Sequence, residues 1–320
     1  MDVKTGLIDF HFHSSFSDGS EAPTSIIKEA KRRNIIGGLA LTDHNNGNGV
    51  PEMKALCQQS GISYLEGVEI YLRFPSKDWS NAPGSCGEAP DGVILGRCLD
   101  WDIFRKEYQK PLIKYWEDHW LPATLDGLRS SGLKVSTLNR EEIRDQVKDL
   151  AVPAVILNTP KNPENWPVLL RLEQRKNPVA TLEEIVKNPF SVAVDYLYDI
   201  GMPAYVLRVF PEWSVFQATN LAKKMSGVLF AAHPGGRSPW TKEHLNFFVK
   251  EGGKGAEVWN YNHTPGQINW LLNYARENEL LVSGGSDWHG KNGRRTLGCW
   301  DKPEVQTPVW VLDQLLEKLP

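Results

Sequence analysis

Residues 6–13 alternate polar and apolar side chains. A period of two puts Asp9, His11 and His13 on one face of a predicted strand, with Phe10 and Phe12 on the other. Pro23-Thr24-Ser25 then opens a helix carrying Ile26, Ile27 and Ala30 at helical spacing, and Asn34 closes it. The apolar run 38–42 predicts a second strand ending at Asp43-His44, and 62–69 predicts a third. The last third repeats this grammar: 228–232 runs into His233-Pro234-Gly235-Gly236, 256–259 into Asn260-Tyr261-Asn262-His263, and 280–285 into Ser286-Asp287-Trp288-His289. Thr264-Pro265, with Gln267 three residues past the cap, starts a helix carrying Ile268, Leu271, Leu272 and Ala275. Strands alternating with helices predict βα units and a parallel sheet.

The rhythm is lost between about residues 100 and 200. Residues 101–120 and 140–150 read as charged helices, and 160–167 as a proline-punctuated loop. Thr181-Leu182-Glu183-Glu184 is a capping box, and a helix over 191–200 ends at Gly201-Met202-Pro203. The predicted organisation is an α/β core from 1–100 and 200–320, interrupted by a helical insertion or cap at 101–199 that roofs the site.

Composition narrows the function classes. With 320 residues and 41% hydrophobic content the chain can bury a core, which excludes general disorder. The 36 basic and 39 acidic residues leave no broad positive face, so coating of long nucleic acid is not expected. There is no apolar run of about 18 residues for a membrane span and no signal-peptide pattern at the start. Cys57, Cys86, Cys98 and Cys299 form neither a metal pair nor a disulfide framework, so a reducing cytoplasm is the expected setting.

Six of the eight histidines (His11, His13, His44, His233, His263 and His289) fall at the carboxyl ends of predicted strands. Asp18, Asp43, Glu69 and Asp287 fall at or just past the same ends. In parallel α/β barrels that edge carries the active site. Singly, each piece has an ordinary reading: Asp18-Gly19 as a turn, Asp43 as a local cap, Glu69 as a surface carboxylate, His233-Pro234 as a turn. Together they predict a cluster of imidazoles and carboxylates suited to Zn, Mn or Fe, with Glu69 as the natural bridge. Such a cluster holds a metal-bound hydroxide in line with phosphorus and neutralises the expanding oxyanion.

The ordered set His11-Phe12-His13, Ser17-Asp18-Gly19, Thr42-Asp43-His44, Gly67-Val68-Glu69, Ala232-His233-Pro234 and Gly285-Ser286-Asp287-Trp288-His289 resembles the polymerase-and-histidinol-phosphatase (PHP) superfamily of metal-dependent phosphoesterases. Val194-Asp195-Tyr196-Leu197 and Gly201-Met202-Pro203-Ala204-Tyr205-Val206 resemble its branch of nucleoside-bisphosphate phosphatases and 5′-exoribonucleases. The resemblance implies a distorted seven-stranded (β/α) TIM-like barrel with two or three divalent metal ions at one rim. One ion would take His11, His13, Glu69 and Asp287; a second would take Asp18, His44 and His289. A third would share Glu69 with His233 and one more histidine. At that last position the family often has His-Ile-Leu-Gly, but this chain has Val93-Ile94-Leu95-Gly96. Valine cannot ligate, so the implied third site is weak, water-completed or absent. Asn45 replaces an acidic residue after Thr-Asp-His.

Phosphate recognition is assigned to Arg237 and Arg208, whose guanidinium groups suit bidentate binding. His263 is a candidate for phosphate binding or for protonating the leaving oxygen. Asp9, Asp43 and Asn45 are read as supports that orient the ligands. The resulting expectation is hydrolysis of a phosphomonoester on a small, nucleotide-like substrate, with no membrane partner. The alternatives are a phosphodiesterase acting on a cyclic phosphate or short RNA 5′ ends, a histidinol-phosphate phosphatase, a carbon–nitrogen amidohydrolase, or a non-catalytic metal-binding module.

Overall fold

The structure, a computed structural model, describes residues 6–74, 90–147, 154–175, 177–187, 202, 204–206, 213–236, 240–291 and 293–320. Among these residues are eight strands: β1 (Ile8–Phe12), β2 (Gly38–Leu41), β3 (Ser63–Tyr64), β4 (Glu66–Tyr71), β5 (Asp91–Gly96), β6 (Val228–Ala231), β7 (Gly255–Asn260) and β8 (Leu281–Gly285). They form a three-stranded sheet, β1-β2-β3, and a five-stranded sheet, β4-β5-β6-β7-β8. The fold is mixed α/β.

The parallel expectation holds within β1-β2-β3 and β6-β7-β8. It fails at β5, which runs antiparallel to both β4 and β6. An antiparallel neighbour needs no crossover helix, and an apolar run carries no mark of its direction. The strand expected over 62–69 is also two strands. Ser63 and Tyr64 pair with β2, whereas Glu66 onward pairs with β5. The chain therefore changes sheets at Leu65, whose N–H still donates to Leu39 O at 3.0 Å. Isolated bridges Phe12–Trp288 and His44–Glu69 link residues of the two sheets and the loops that follow them.

All of β1, β2 and β7 is buried. Phe12, Leu39 and Leu41 pack with Ile26, Ile27 and Ala30 of α1 (Pro23–Arg32) and with Met53 and Cys57 of α2 (Val50–Gln59), with Trp288 in the same cluster. Burying each of the larger side chains contributes about 2 kcal/mol. This core anchors the strand ends from which His11, His13, Asp43 and His44 emerge. Asn34, at φ 58°, turns the chain out of α1. Thr264 and Gln267 form the expected capping box on helix Pro265–Glu277.

The chain divides into two compact units. The first comprises Met1–Ser85, Ala89–Gln109 and Pro211–Pro320; the second comprises Cys86–Glu88 and Lys110–Phe210. In the second unit every described regular element is helical, including Leu121–Ser130, Arg140–Val147, Trp166–Glu173 and Leu182–Lys187. The proline segment expected as a loop holds two 3-10 turns, Thr159–Lys161 and Pro163–Asn165, because proline suits a first helical position. The helix expected over 191–200 lies outside the described residues. Among the described residues no helix is long and apolar enough to cross a membrane.

Candidate metal centre

Three turns that carry or adjoin candidate ligands adopt left-handed backbone: Asn45 at φ 55°, His233 at φ 28° and Asp287 at φ 53°. Each costs of order 1 kcal/mol or more for a residue other than glycine. A specific bond holds each turn in place. Asn45 N–H donates to Glu69 O at 2.7 Å, and Asp287 N–H donates to His11 O at 2.7 Å. His233 N–H donates to the Glu257 carboxylate at 2.6 Å.

These turns bring side chains from distant parts of the chain together. Glu69 Oε2 lies 3.1 Å from His11 Nε2, 3.2 Å from His13 Nε2 and 3.2 Å from His44 Nδ1. Its other oxygen lies 3.1 Å from His233 Nε2. Asp287 Oδ1 lies 3.2 Å from His13 Nε2 and 3.9 Å from His11 Nε2. Asp18 Oδ2 lies 3.3 Å from His289 Nε2 and 3.7 Å from His44 Nε2. Two four-membered groups result, His11-His13-Glu69-Asp287 and His13-Asp18-His44-His289, each with its ligand atoms within 4.8 Å of one another. All eight side chains expected to ligate metal thus lie together.

The donor set fits divalent cations. His11 Nε2, both ring nitrogens of His13, His44 Nδ1 and Glu69 Oε2 are buried with no hydrogen-bond partner. Leaving one such atom unsatisfied costs on the order of 1–3 kcal/mol, so five in one spot call for an ion. Burial alone would raise the Glu69 carboxyl, but the His11 and His44 imidazoles hold it well below its usual range. Likewise, burial would raise Asp287, yet Arg295 and His13 keep it well below. Burial would lower His13, but the Asp287 and Glu69 carboxylates bring it up to about 10. For His44 burial wins, and its imidazole is pushed down to about 4.

The residues bracing this centre are partly those expected. Asp9 accepts from Ser286 N–H at 2.9 Å, Ser286 Oγ at 2.6 Å, Gly298 N–H at 2.7 Å and His11 N–H at 3.2 Å. Burial pushes its carboxyl up to about 6 despite those bonds. Asp43 accepts from Ser14 N–H, Ser14 Oγ and Ser17 Oγ, each at 2.7 Å. Both carboxylates therefore clamp backbone and hydroxyls, not imidazole rings. Asn45 accepts from the Tyr108 hydroxyl, and Gln109 donates to the Asn45 carbonyl at 3.4 Å.

Three participants escaped the sequence reading. Glu257, buried in β7, sets Oε2 3.1 Å from His11 Nδ1. Arg295 donates to Oδ2 of Asp287 and, at 2.7 Å, to its carbonyl, which leaves Oδ1 toward the histidines. Asp91 groups with Glu69 and His233. Only Glu257 had a signal, since a carboxylate inside an otherwise apolar strand invites explanation.

His263 takes a different part from the one expected. Its Nε2 accepts from Gly235 N–H at 2.9 Å, and its Nδ1 lies 2.7 Å from Val258 O. The donor to Nε2 fixes the neutral tautomer, with the proton on Nδ1 bonded to the carbonyl, and burial lowers its pKa. In this arrangement it braces the His233 loop and holds no proton for a leaving group. Arg208 and Arg237 lie outside the described residues.

Residues 9–158 match the family model of the PHP domain. Over that stretch the chain is similar to a PHP domain. A 3′,5′-nucleoside bisphosphate phosphatase from Chromobacterium violaceum is 27% identical over 311 residues, 95% of each chain. A 5′-3′ exoribonuclease from Haemophilus influenzae is 26% identical over 315 residues, 96% of this chain and 98% of that protein. Both similarities extend over nearly the whole chain, beyond the two ends that carry the motifs. Among solved structures, a protein from Bifidobacterium adolescentis provisionally described as a metal-dependent phosphoesterase superposes with a TM-score of 0.63 at 22% identity, covering 99% of this chain and 97% of that one. A Chromobacterium violaceum structure described as an amidohydrolase gives 0.64 at 22% identity, with 98% of each covered. At that identity the two likenesses speak to the fold.

Proposed function

We propose that this chain is a metal-dependent hydrolase that hydrolyses a phosphomonoester of a small, nucleotide-like substrate and releases inorganic phosphate. The observation that carries the reading is Glu69: one buried carboxylate touches four imidazoles, contributed by three separate segments of the chain. A lone core carboxylate has no use for four histidines, whereas a bridging ligand does. His11, His13, Glu69 and Asp287 would hold one divalent ion, Mn, Zn or Fe, and Asp18, His44 and His289 a second. When bound, such ions supply positive charge to the phosphoryl oxygens and an acidified water as nucleophile.

Asp9 and Asp43 keep the ligand loops closed, Glu257 orients His11, and Arg295 orients Asp287. With His263 engaged at both nitrogens, water protonates the leaving oxygen. We read the two sheets, linked by the Phe12–Trp288 and His44–Glu69 bridges, as parts of a distorted barrel. The nucleotide-like substrate is supported by the bisphosphate phosphatase relative. The exoribonuclease relative favours a second reading, a phosphodiesterase acting on short RNA 5′ ends.

Side-by-side turnover of nucleoside bisphosphates, cyclic nucleotides and 5′-phosphorylated short oligoribonucleotides separates the readings. Preference for the bisphosphates supports the monoesterase. Release of mononucleotides from the oligomer without monoester cleavage would favour the diesterase.

A further inference from the structure

Glu69 faces two ways. Oε2 lies among His11, His13 and His44, while Oε1 lies toward His233 at 3.1 Å. On the second side stands Asp91, the first residue of β5, opposite Tyr71 in the antiparallel β4–β5 ladder. Its carbonyl accepts from Ala232 N–H at 3.2 Å, one residue before His233. Ligand atoms of Glu69, Asp91 and His233 all lie within 4.8 Å of one another. Glu69 is fully buried, and its Oε2 has no hydrogen-bond partner.

Val93, directly opposite Glu69, lies two residues along β5 from Asp91. Residues two apart on a strand share a face, so Asp91 stands on the face of Val93, one pleat nearer the start of the strand. A carboxylate there is placed to ligate where the valine is not.

We propose that Glu69, Asp91 and His233 form a third cation site in which Asp91 supplies the ligand that Val93 cannot. The inference rests on reading the Glu69 cluster as a divalent-metal centre. It also assigns the site a character. The other two groups offer two imidazoles with two carboxylates, and three imidazoles with one carboxylate. This one offers two carboxylates and a single imidazole, with the His233 side chain 25% exposed. Oxygen-rich, solvent-accessible sites favour Mn or Mg over Zn, complete their shell with water and exchange faster. The site therefore holds a weaker, oxygen-preferring ion beside two tighter ones with more imidazole ligands.

The test needs no substrate. Metal-stripped full-length protein is titrated with Mn²⁺, and free Mn²⁺ is followed by electron paramagnetic resonance. The wild type is expected to take up about three ions per chain, one of them weakly. Asp91→Asn, and independently His233→Gln, should weaken that last ion at least about tenfold and leave the tightest ion in place. Asp91→His should shift the preference of the weak site from Mn²⁺ toward Zn²⁺. A weak ion unchanged in Asp91→Asn, or a wild type that takes up two ions only, overturns the inference and leaves the two-ion reading intact. A wild type that binds none overturns both.

Discussion

Nδ1 of His11 lies 3.1 Å from Oε2 of Glu257, and that same oxygen accepts from the backbone N–H of His233 at 2.6 Å. One carboxylate of β7 thus aims an imidazole of β1 and sets the backbone of the loop after β6. Removing a partner that orients a ligand typically costs 10–100-fold in metal affinity. Glu257→Ala is expected to show a loss of about that size in chelator-competition titrations, and Glu257→Gln a smaller one. Equal affinity in all three proteins would remove Glu257 from the support of the centre.

Asp9 accepts four hydrogen bonds that join β1 to the Ser286 and Gly298 backbones. Asp9→Ala strands those donors in a buried setting, and we expect a loss of about 3 kcal/mol. Urea unfolding of the metal-free variant measures it. A loss under about 0.5 kcal/mol would mean that water replaces the carboxylate without cost.

At Gly285 the approach of β8 to β1 leaves no room for a side chain, since an added Cβ would collide with the backbone and Cβ of His11. Gly285→Ala should destabilise the fold by about 1–3 kcal/mol and displace His11. The expected readouts are a lower unfolding midpoint and weaker metal uptake in the same variant. An unaltered midpoint would contradict the close approach.

Away from the centre, Glu29 accepts from Arg32 at 2.9 and 2.7 Å and also from Arg33. The Arg32 bonds, with burial opposing them and Arg33 assisting, lower its carboxyl from 4.5 to about 2. A carboxyl lowered by folding adds stability above its unfolded pKa, and that stability fades as pH falls through the window from 4.5 to about 2. The stability gap between wild type and Glu29→Gln should be constant above that window and should close within it, as followed by thermal melts across pH. A gap that ignores pH would show that the ion pairs contribute nothing.

Most of the eight clustered candidate ligands were legible because they stand at or just past strand ends that hydrophobic patterning marks, whereas Glu69 lies inside β4. Alternation also placed His11 and His13 on one face. Glu257 and Arg295 were not legible, because their roles depend on which strands become neighbours. Glu257 reaches His11 only once β7 and β8 lie near β1, and Arg295 reaches Asp287 only through a loop that folds back. The sheet change at Leu65 and the reversed β5 were hidden for a related reason. Apolar runs mark where strands are, while pairing and direction follow from long-range packing. Asp91 was not legible because it lies outside the Val93-Ile94-Leu95-Gly96 stretch, and its nearness to His233 depends on the pairing of β5 with β6. The neutral charge balance excluded a broad basic face, yet bound cations would supply positive charge that residue counting omits.

The most direct test of the account is inorganic phosphate release from a 3′,5′-nucleoside bisphosphate by three samples: chelated protein, the same protein after Mn²⁺ re-addition, and Asp18→Ala treated identically. The account predicts an inert chelated protein, restored turnover with metal, and a rate at least about 100-fold lower in Asp18→Ala. Full phosphate release by the chelated protein, or by reloaded Asp18→Ala, would contradict it.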